Sequence, residues 1–238
     1  MKLIKNHRVP ASLCDPGLKL SLTGAFQTVE DLVTEMMGAL HIDGITCMRE
    51  YGAMWVFVRN HIELKKDLHW MDEYTAECYI SSFSMLKMNV DTVIRSADQE
   101  IALYSRLELC AVDLQTMKIR KAASVGLGEN TPPEEPAFDI SFAREKYMPE
   151  TLLEKLTVRA SDIDYCYHTN NISYIRYLVN QWSVKELSDR PIRMIEVQYV
   201  NQTHEGDTLE LFRCEGDAPE KYTILFEGKP AVNIIVSR

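Results

Sequence analysis

Arg159-Ala-Ser-Asp-Ile-Asp-Tyr-Cys-Tyr-His-Thr-Asn-Asn-Ile-Ser-Tyr174 gathers two acids, a cysteine, a histidine and two asparagines at the approach to a helix. Asp162, Asp164, Cys166 and His168 fall at every second position, so in an extended segment they would project to one side. The helix that follows is expected over Asn170–Leu187, with Ile172, Ile175, Leu178, Val179 and Trp182 on one side. Asn170 and Asn171 are good capping residues for its start. That start offers unpaired backbone N–H groups and the positive end of the helix dipole. Such donors can polarise a carbonyl and hold an oxyanion while a carboxylate or imidazole activates water. Asp162 has a simpler reading, capping a turn or pairing with Arg159.

Outward from this stretch the chain reads as two copies of one plan. In the first half Val29, Leu32, Val33, Met36, Met37 and Leu40 form a continuous helical face over Thr28–Leu40, with Thr28 as the expected N-cap. Strands are expected at Ala53–Leu64, Thr75–Ser82, Met88–Ile94 and Ile101–Val112, with a turn at Ser96–Glu100. The second half places strands at Ile192–Val200, Thr208–Cys214, Tyr222–Phe226 and Ala231–Val236, the last two joined through Glu227-Gly-Lys-Pro230. Between the halves, Gly126, Gly128, Asn130, Pro132, Pro133 and Pro136 mark a linker. The expected domains are residues 1–123 and 151–238, joined by a linker at 124–150. Each half reads as a helix, two strands and a hairpin, which duplication of an α+β unit explains economically.

Composition narrows the function. Of 238 residues 46% are hydrophobic and 26% charged, a globular balance. A net charge of −9 disfavours wholesale nucleic-acid binding. No apolar run reaches the ~18–20 residues of a bilayer crossing, and Met1–Arg8 does not lead into a signal-like apolar core, so a cytoplasmic protein is expected. The six cysteines are scattered singly, which supports neither a metal cluster nor a redox dithiol. No metal and no cofactor are expected.

Asp162-Ile-Asp-Tyr-Cys-Tyr-His-Thr-Asn-Asn171 resembles the signature D-[LI]-D-x-N-x-H-x-N-N of the acyl-[acyl-carrier-protein] thioesterases of plants and bacteria. Asp162, Asp164, His168, Asn170 and Asn171 match it, and Cys166 stands in place of the family's Asn. In the first half Trp55-Val-Phe-Val-Arg59 is similar to the family's W-V-x-x-R strand and Trp70-x-Asp72 to its W-x-D turn. Asp113-Leu-Gln-Thr116 with Lys118 and Arg120 is similar to the strand end that introduces a T-R pair. The resemblance implies a tandem (double) hotdog, each repeat a long helix wrapped by a curved antiparallel sheet, with catalysis in the C-terminal repeat. It also implies hydrolysis of fatty acyl-acyl carrier protein to free fatty acid, with acyl carrier protein as partner.

Carried over residue by residue, the catalytic set is Asp164, Cys166, His168 and Gln202, the last 34 residues beyond His168 where the family has Glu. Asn170, Asn171 and Trp55 are the substrate-contact candidates, and Trp55 reads equally as packing. Gln202 orients water but cannot accept a proton as Glu does. Cys166 reads either as a small packing substitute or as a nucleophile, and water attack is the preferred mechanism. His204 reads as an incidental surface histidine. The first repeat, whose His41 has no companion carboxylate motif, is expected to supply the acyl pocket rather than chemistry. Lys118, Arg120 and Lys121 form the densest basic cluster and are the candidate dock for an acidic carrier. The rivals are an acyl-coenzyme A thioesterase and a non-catalytic acyl-binding protein, with a hotdog dehydratase behind them. Edge-to-edge sheet pairing would be met by a homodimer or by the two repeats of one chain.

Overall fold

The computed structural model describes residues 1–127, 133–216 and 218–238; Gly128, Asn130 and Pro132 of the expected linker lie outside them. It divides into two compact α+β units, Met1–Ser141 and Phe142–Arg238.

The first unit runs β1 (Lys2–Arg8), a 3-10 turn (Ala11–Leu13), α1 (Leu22–Ala39) and α2 (Gly44–Thr46), which passes into a π turn (Cys47–Tyr51). β2 (Ala53–Leu64), β3 (Glu73–Phe83), β4 (Lys87–Ser96), β5 (Ile101–Asp113) and the short β6 (Ile119–Arg120) follow. Its antiparallel strands lie in the order β1-β3-β4-β5-β2, with β6 on β5. The second unit runs β7 (Pro149–Thr157), a 3-10 turn (Ala160–Asp162), α3 (Asn171–Val179), α4 (Val184–Asp189), β8 (Met194–Tyr199), β9 (Thr208–Cys214), β10 (Glu220–Phe226) and β11 (Lys229–Ser237). Its strand order, β7-β9-β10-β11-β8, retraces the first path strand for strand. Each unit therefore opens with a strand that the helix-first plan lacks. β7 is exposed along nearly its whole length and β1 along most of its own, so neither carries the one-sided apolar alternation that marks a strand.

α1 begins a turn and a half before Thr28. Ser21 is its N-cap, accepting the Gly24 N–H at 3.0 Å, while Thr28 is buried inside the helix with its hydroxyl donated to the Gly24 carbonyl at 2.9 Å. Gly24 is required there, because a Cβ would stand 2.3 Å from the Leu13 carbonyl oxygen. Phe26, Val29, Val33 and Met36 are fully buried on the face that packs against β3 and β4. The second helix is not continuous to Leu187. α3 stops at Val179, and Ser183 opens α4 with a reciprocal capping box to Glu186, which satisfies two backbone donors that a continued helix would have used internally.

Residues 133–141 return onto the first unit. The buried Arg106 of β5 holds Asp91 of β4 through two bonds of 2.7 Å and donates to the carbonyls of Ile140 (2.7 Å) and Phe138 (3.2 Å). Phe138 stacks on Tyr104 at a centroid separation of 3.9 Å. Among the described residues no helix is long and apolar enough to cross a membrane.

Candidate active site

The loop that carries the acid, cysteine and histidine is a closed frame, not an extended segment. Ile163 and Thr169 pair antiparallel and pinch off Asp164–His168. Inside the loop the Asp164 N–H donates to the His168 carbonyl (2.9 Å) and the Tyr167 N–H to the Asp164 carbonyl (3.1 Å). Asp164 Oδ1 accepts the N–H groups of Cys166 (2.8 Å) and His168 (3.4 Å), so this carboxylate shapes the turn from within. Tyr167 takes φ 62° to complete the reversal, a left-handed conformation that a non-glycine residue adopts only when its neighbours impose it.

The chain reversal breaks the expected alternation and gives the two acids different work. Asp162 is buried under the 3-10 turn, where its Oδ2 accepts the Arg159 N–H at 2.9 Å. Its ionic partner is Arg176 of α3, at 3.5 Å, in place of the Arg159 side chain. Asn170 caps α3 by accepting the Ile172 N–H (2.8 Å) and donates its own N–H to the Asp162 carbonyl (2.7 Å). Asn171 is the half-buried first residue of the helix.

The β8–β9 connection is clasped to this frame by threonines. The Thr169 N–H donates to the Thr203 carbonyl at 2.8 Å, and the two hydroxyls meet at 2.6 Å. The Tyr174 hydroxyl from α3 adds a 2.7 Å contact to Thr203. The clasp brings the 202–204 segment beside His168 and Thr169, with Gln202 exposed at its edge. It also sets His204 edge-on to His168, with ring centroids 5.1 Å apart and planes at 68°. The two histidines lie 36 residues apart in sequence, and the clasp brings their segments together.

Electrostatics separate the two possible reactive groups. Burial, and secondarily the His204 ring, push the His168 pKa below its ordinary value, against a smaller upward pull from Asp164. His168 is thus held toward its neutral, proton-accepting form. Burial raises the Cys166 thiol, and the neighbouring Asp164 charge raises it further, with a partial offset from the Tyr165 side chain. A thiol so placed is a poor nucleophile. Among the described residues no group of three His, Cys, Asp or Glu side chains converges on a metal position.

The first unit repeats the frame with different side chains, at an offset of 149 residues for the loop and 135 for the segment clasped to it. Cys14 pairs with Leu20, the Asp15 N–H donates to the Lys19 carbonyl (2.8 Å), and Asp15 Oδ1 accepts the Lys19 N–H (3.0 Å). Leu18 has φ 59° where Tyr167 has 62°. The Leu20 N–H meets the Leu68 carbonyl (2.7 Å) as Thr169 meets Thr203. Gly17, Lys19 and Asp67 stand where the second unit has Cys166, His168 and Gln202, and the Lys19 ammonium sits 2.6 Å from Asp67. Trp55 also belongs to this unit. Its indole N–H donates to the Ile42 carbonyl (2.8 Å), and its ring packs on a cluster of Cys47, Ala53, Ala111 and Val125.

Residues 145–230, which contain the whole frame and its clasp, match the family model for the acyl-ACP thioesterase C-terminal domain. This second-unit stretch is therefore similar to the C-terminal domain of the acyl-ACP thioesterases. The chloroplastic oleoyl-acyl carrier protein thioesterase 1 of Arabidopsis thaliana is 21% identical over 212 residues, an alignment covering 79% of this chain and 58% of that relative. The chain thus spans little more than half of that protein's length. Among solved structures, an acyl-ACP thioesterase from Bacteroides thetaiotaomicron superposes with a TM-score of 0.90 at 18% identity, covering 99% of this chain and 96% of the other. A 12:0-ACP thioesterase from Umbellularia californica superposes with a TM-score of 0.78 at 16% identity, covering 99% and 96%. At such identities the superpositions speak to the fold.

Proposed function

We propose that this chain hydrolyses the thioester of a fatty acyl group carried on acyl carrier protein, on a tandem hotdog scaffold with its chemistry in the second unit. The observation that carries this reading is the Asp164 frame, which presents His168 to the clasped 202–204 segment inside the stretch that matches the family model.

In this reading neutral His168 accepts a proton from water, and the water oxygen bonds to the thioester carbonyl carbon. The α3 start supplies the oxyanion donor, with the Asn171 N–H the candidate. When the carbon–sulfur bond breaks, the proton held by His168 passes to the departing sulfur, leaving a free fatty acid and the carrier's thiol. Asp164 holds the loop in register, and the Gln202 amide orients the water without taking its proton. Cys166 is a half-buried packing side chain of the loop. The first unit supplies the apolar lining for the acyl chain and, through its exposed Lys118 and Lys121, the attraction for an acidic carrier. Arg120 contributes less to that dock, because it is held by the Tyr51 carbonyl at 2.6 Å and lies 3.6 Å from Asp113.

The test is release of free thiol from carrier-protein thioesters of graded chain length, with acyl-coenzyme A in parallel. Turnover of the carrier substrates that disappears in His168→Ala and falls about 10²-fold in Asp164→Ala is the expected result. Equal efficiency on acyl-coenzyme A would transfer the reading to that substrate. Acyl binding with no turnover by the wild type would overturn it in favour of a binding protein whose Gln202 has replaced the base.

A further inference from the structure

Proton transfer at the frame needs an imidazole that is neutral when substrate arrives, and the charges around His168 pull in opposite directions. Its own loop contributes the Asp164 carboxylate, which favours the protonated ring. The β8–β9 connection contributes His204, edge-on at 5.1 Å between centroids. Behind His204 stands Asp207, which accepts the His204 N–H at 2.8 Å and lies 3.9 Å from its Nδ1; Glu205 beside it is exposed. Asp207 thereby holds the His204 backbone in the turn that aims its ring at His168. Two imidazolium rings at this separation repel, so charge placed on His204 opposes charge on His168.

The first unit supplies the contrast. His69 and Asp72 repeat the turn, with the His69 N–H on Asp72 at 2.8 Å, but the residue opposite is Lys19, whose ammonium is neutralised by Asp67. In the second unit Gln202 occupies the position of Asp67 and brings no anion to His168.

We propose that His204 is a positioning residue of this site, keeping His168 in the neutral form that accepts the proton of the attacking water. This rests on the thioesterase reading only for its consequence on rate; the coupling of the two rings stands independently.

The experiment follows the ring protons of the histidines by NMR through a pH titration, in the wild type, His204→Asn and His204→Lys, with His168→Asn to assign the signal. The pH profile of kcat/KM is measured in parallel. In His204→Asn the His168 midpoint and the acid limb of the profile move to higher pH. In His204→Lys, which retains a positive charge, both stay at or below their wild-type positions. An unchanged midpoint in His204→Asn, or the same upward shift in both variants, overturns the proposal. Absence of turnover in the wild type would defeat the thioesterase reading, while the NMR midpoints would still decide the role of His204.

Discussion

Replacing Cys166 with alanine separates water attack from covalent catalysis. An ordinary cysteine with a pKa near 8.5 is about 3% thiolate at pH 7, so ionising it there costs about 2 kcal/mol. Burial and the Asp164 charge raise the Cys166 thiol further, with only a partial offset from the Tyr165 side chain. A nucleophile would thus begin from a small minority species. If water attacks, Cys166→Ala removes only a half-buried sulfur, and kcat/KM stays within about fivefold of wild type, or about 1 kcal/mol. Loss of an essential nucleophile costs far more, on the order of 10⁶-fold in a serine protease. The assay is steady-state thiol release by wild type and variant, with mass spectrometry of enzyme quenched during turnover. A loss above about 10³-fold, together with an acyl adduct on Cys166, would refute the reasoning.

Asp164→Ala orphans the Cys166 and His168 N–H groups, and the displaced imidazole should lower kcat/KM about 10²-fold; wild-type rates in this variant would show that the carboxylate does not hold the site. Arg106→Met leaves Asp91 buried and unpaired, for an expected loss of about 3–5 kcal/mol in urea denaturation. Adding Asp91→Leu should restore most of it, and failure to do so would mean that the carbonyls of Phe138 and Ile140 matter more than the ion pair. The depressed pKa of His168 means that the unfolded chain binds more protons than the folded one below ~6.5. The stability contributed by this group is present above that pH and is lost as the pH falls through the lowered folded value. His168→Asn should flatten that part of the urea-midpoint profile, and an unaltered slope would count against the assignment.

Elements whose periodicity reports burial are readable from residues alone. The bounds of β2 and β9 coincide with the expected Ala53–Leu64 and Thr208–Cys214, and the Ser96–Glu100 turn closes with the Ser96 N–H on the Glu100 carbonyl at 2.9 Å. β1 and β7 were hidden because a strand paired on one side and exposed on both faces has no apolar alternation to display. The α3–α4 break was available, since Ser183-Val-Lys-Glu186 is a capping box, but the apolar periodicity running across it masked the signal. At the site, the residue types were legible and their geometry was not. Asp164 looked like a member of an alternating row, whereas its hydrogen bonds make it the keystone of a turn. His204 acquires meaning only through the Thr169–Thr203 clasp, a tertiary contact that local pattern cannot reveal.

The duplicated loop separates architecture from reactivity. Asp15 and Asp164 satisfy the same backbone groups around dissimilar neighbours, so the conformation is indifferent to whether lysine or histidine sits at its rim. The rim of either copy can therefore be rewritten without unfolding the loop. For protein engineering the first-unit loop is a vacant socket. Gly17, Lys19 and Asp67 are the three addresses at which the proposed centre could be copied, and a Cβ at Gly17 would sit 3.2 Å from Asp15 Oδ1, the acceptor of the Lys19 N–H, so that carboxylate would have to shift by a few tenths of an ångström.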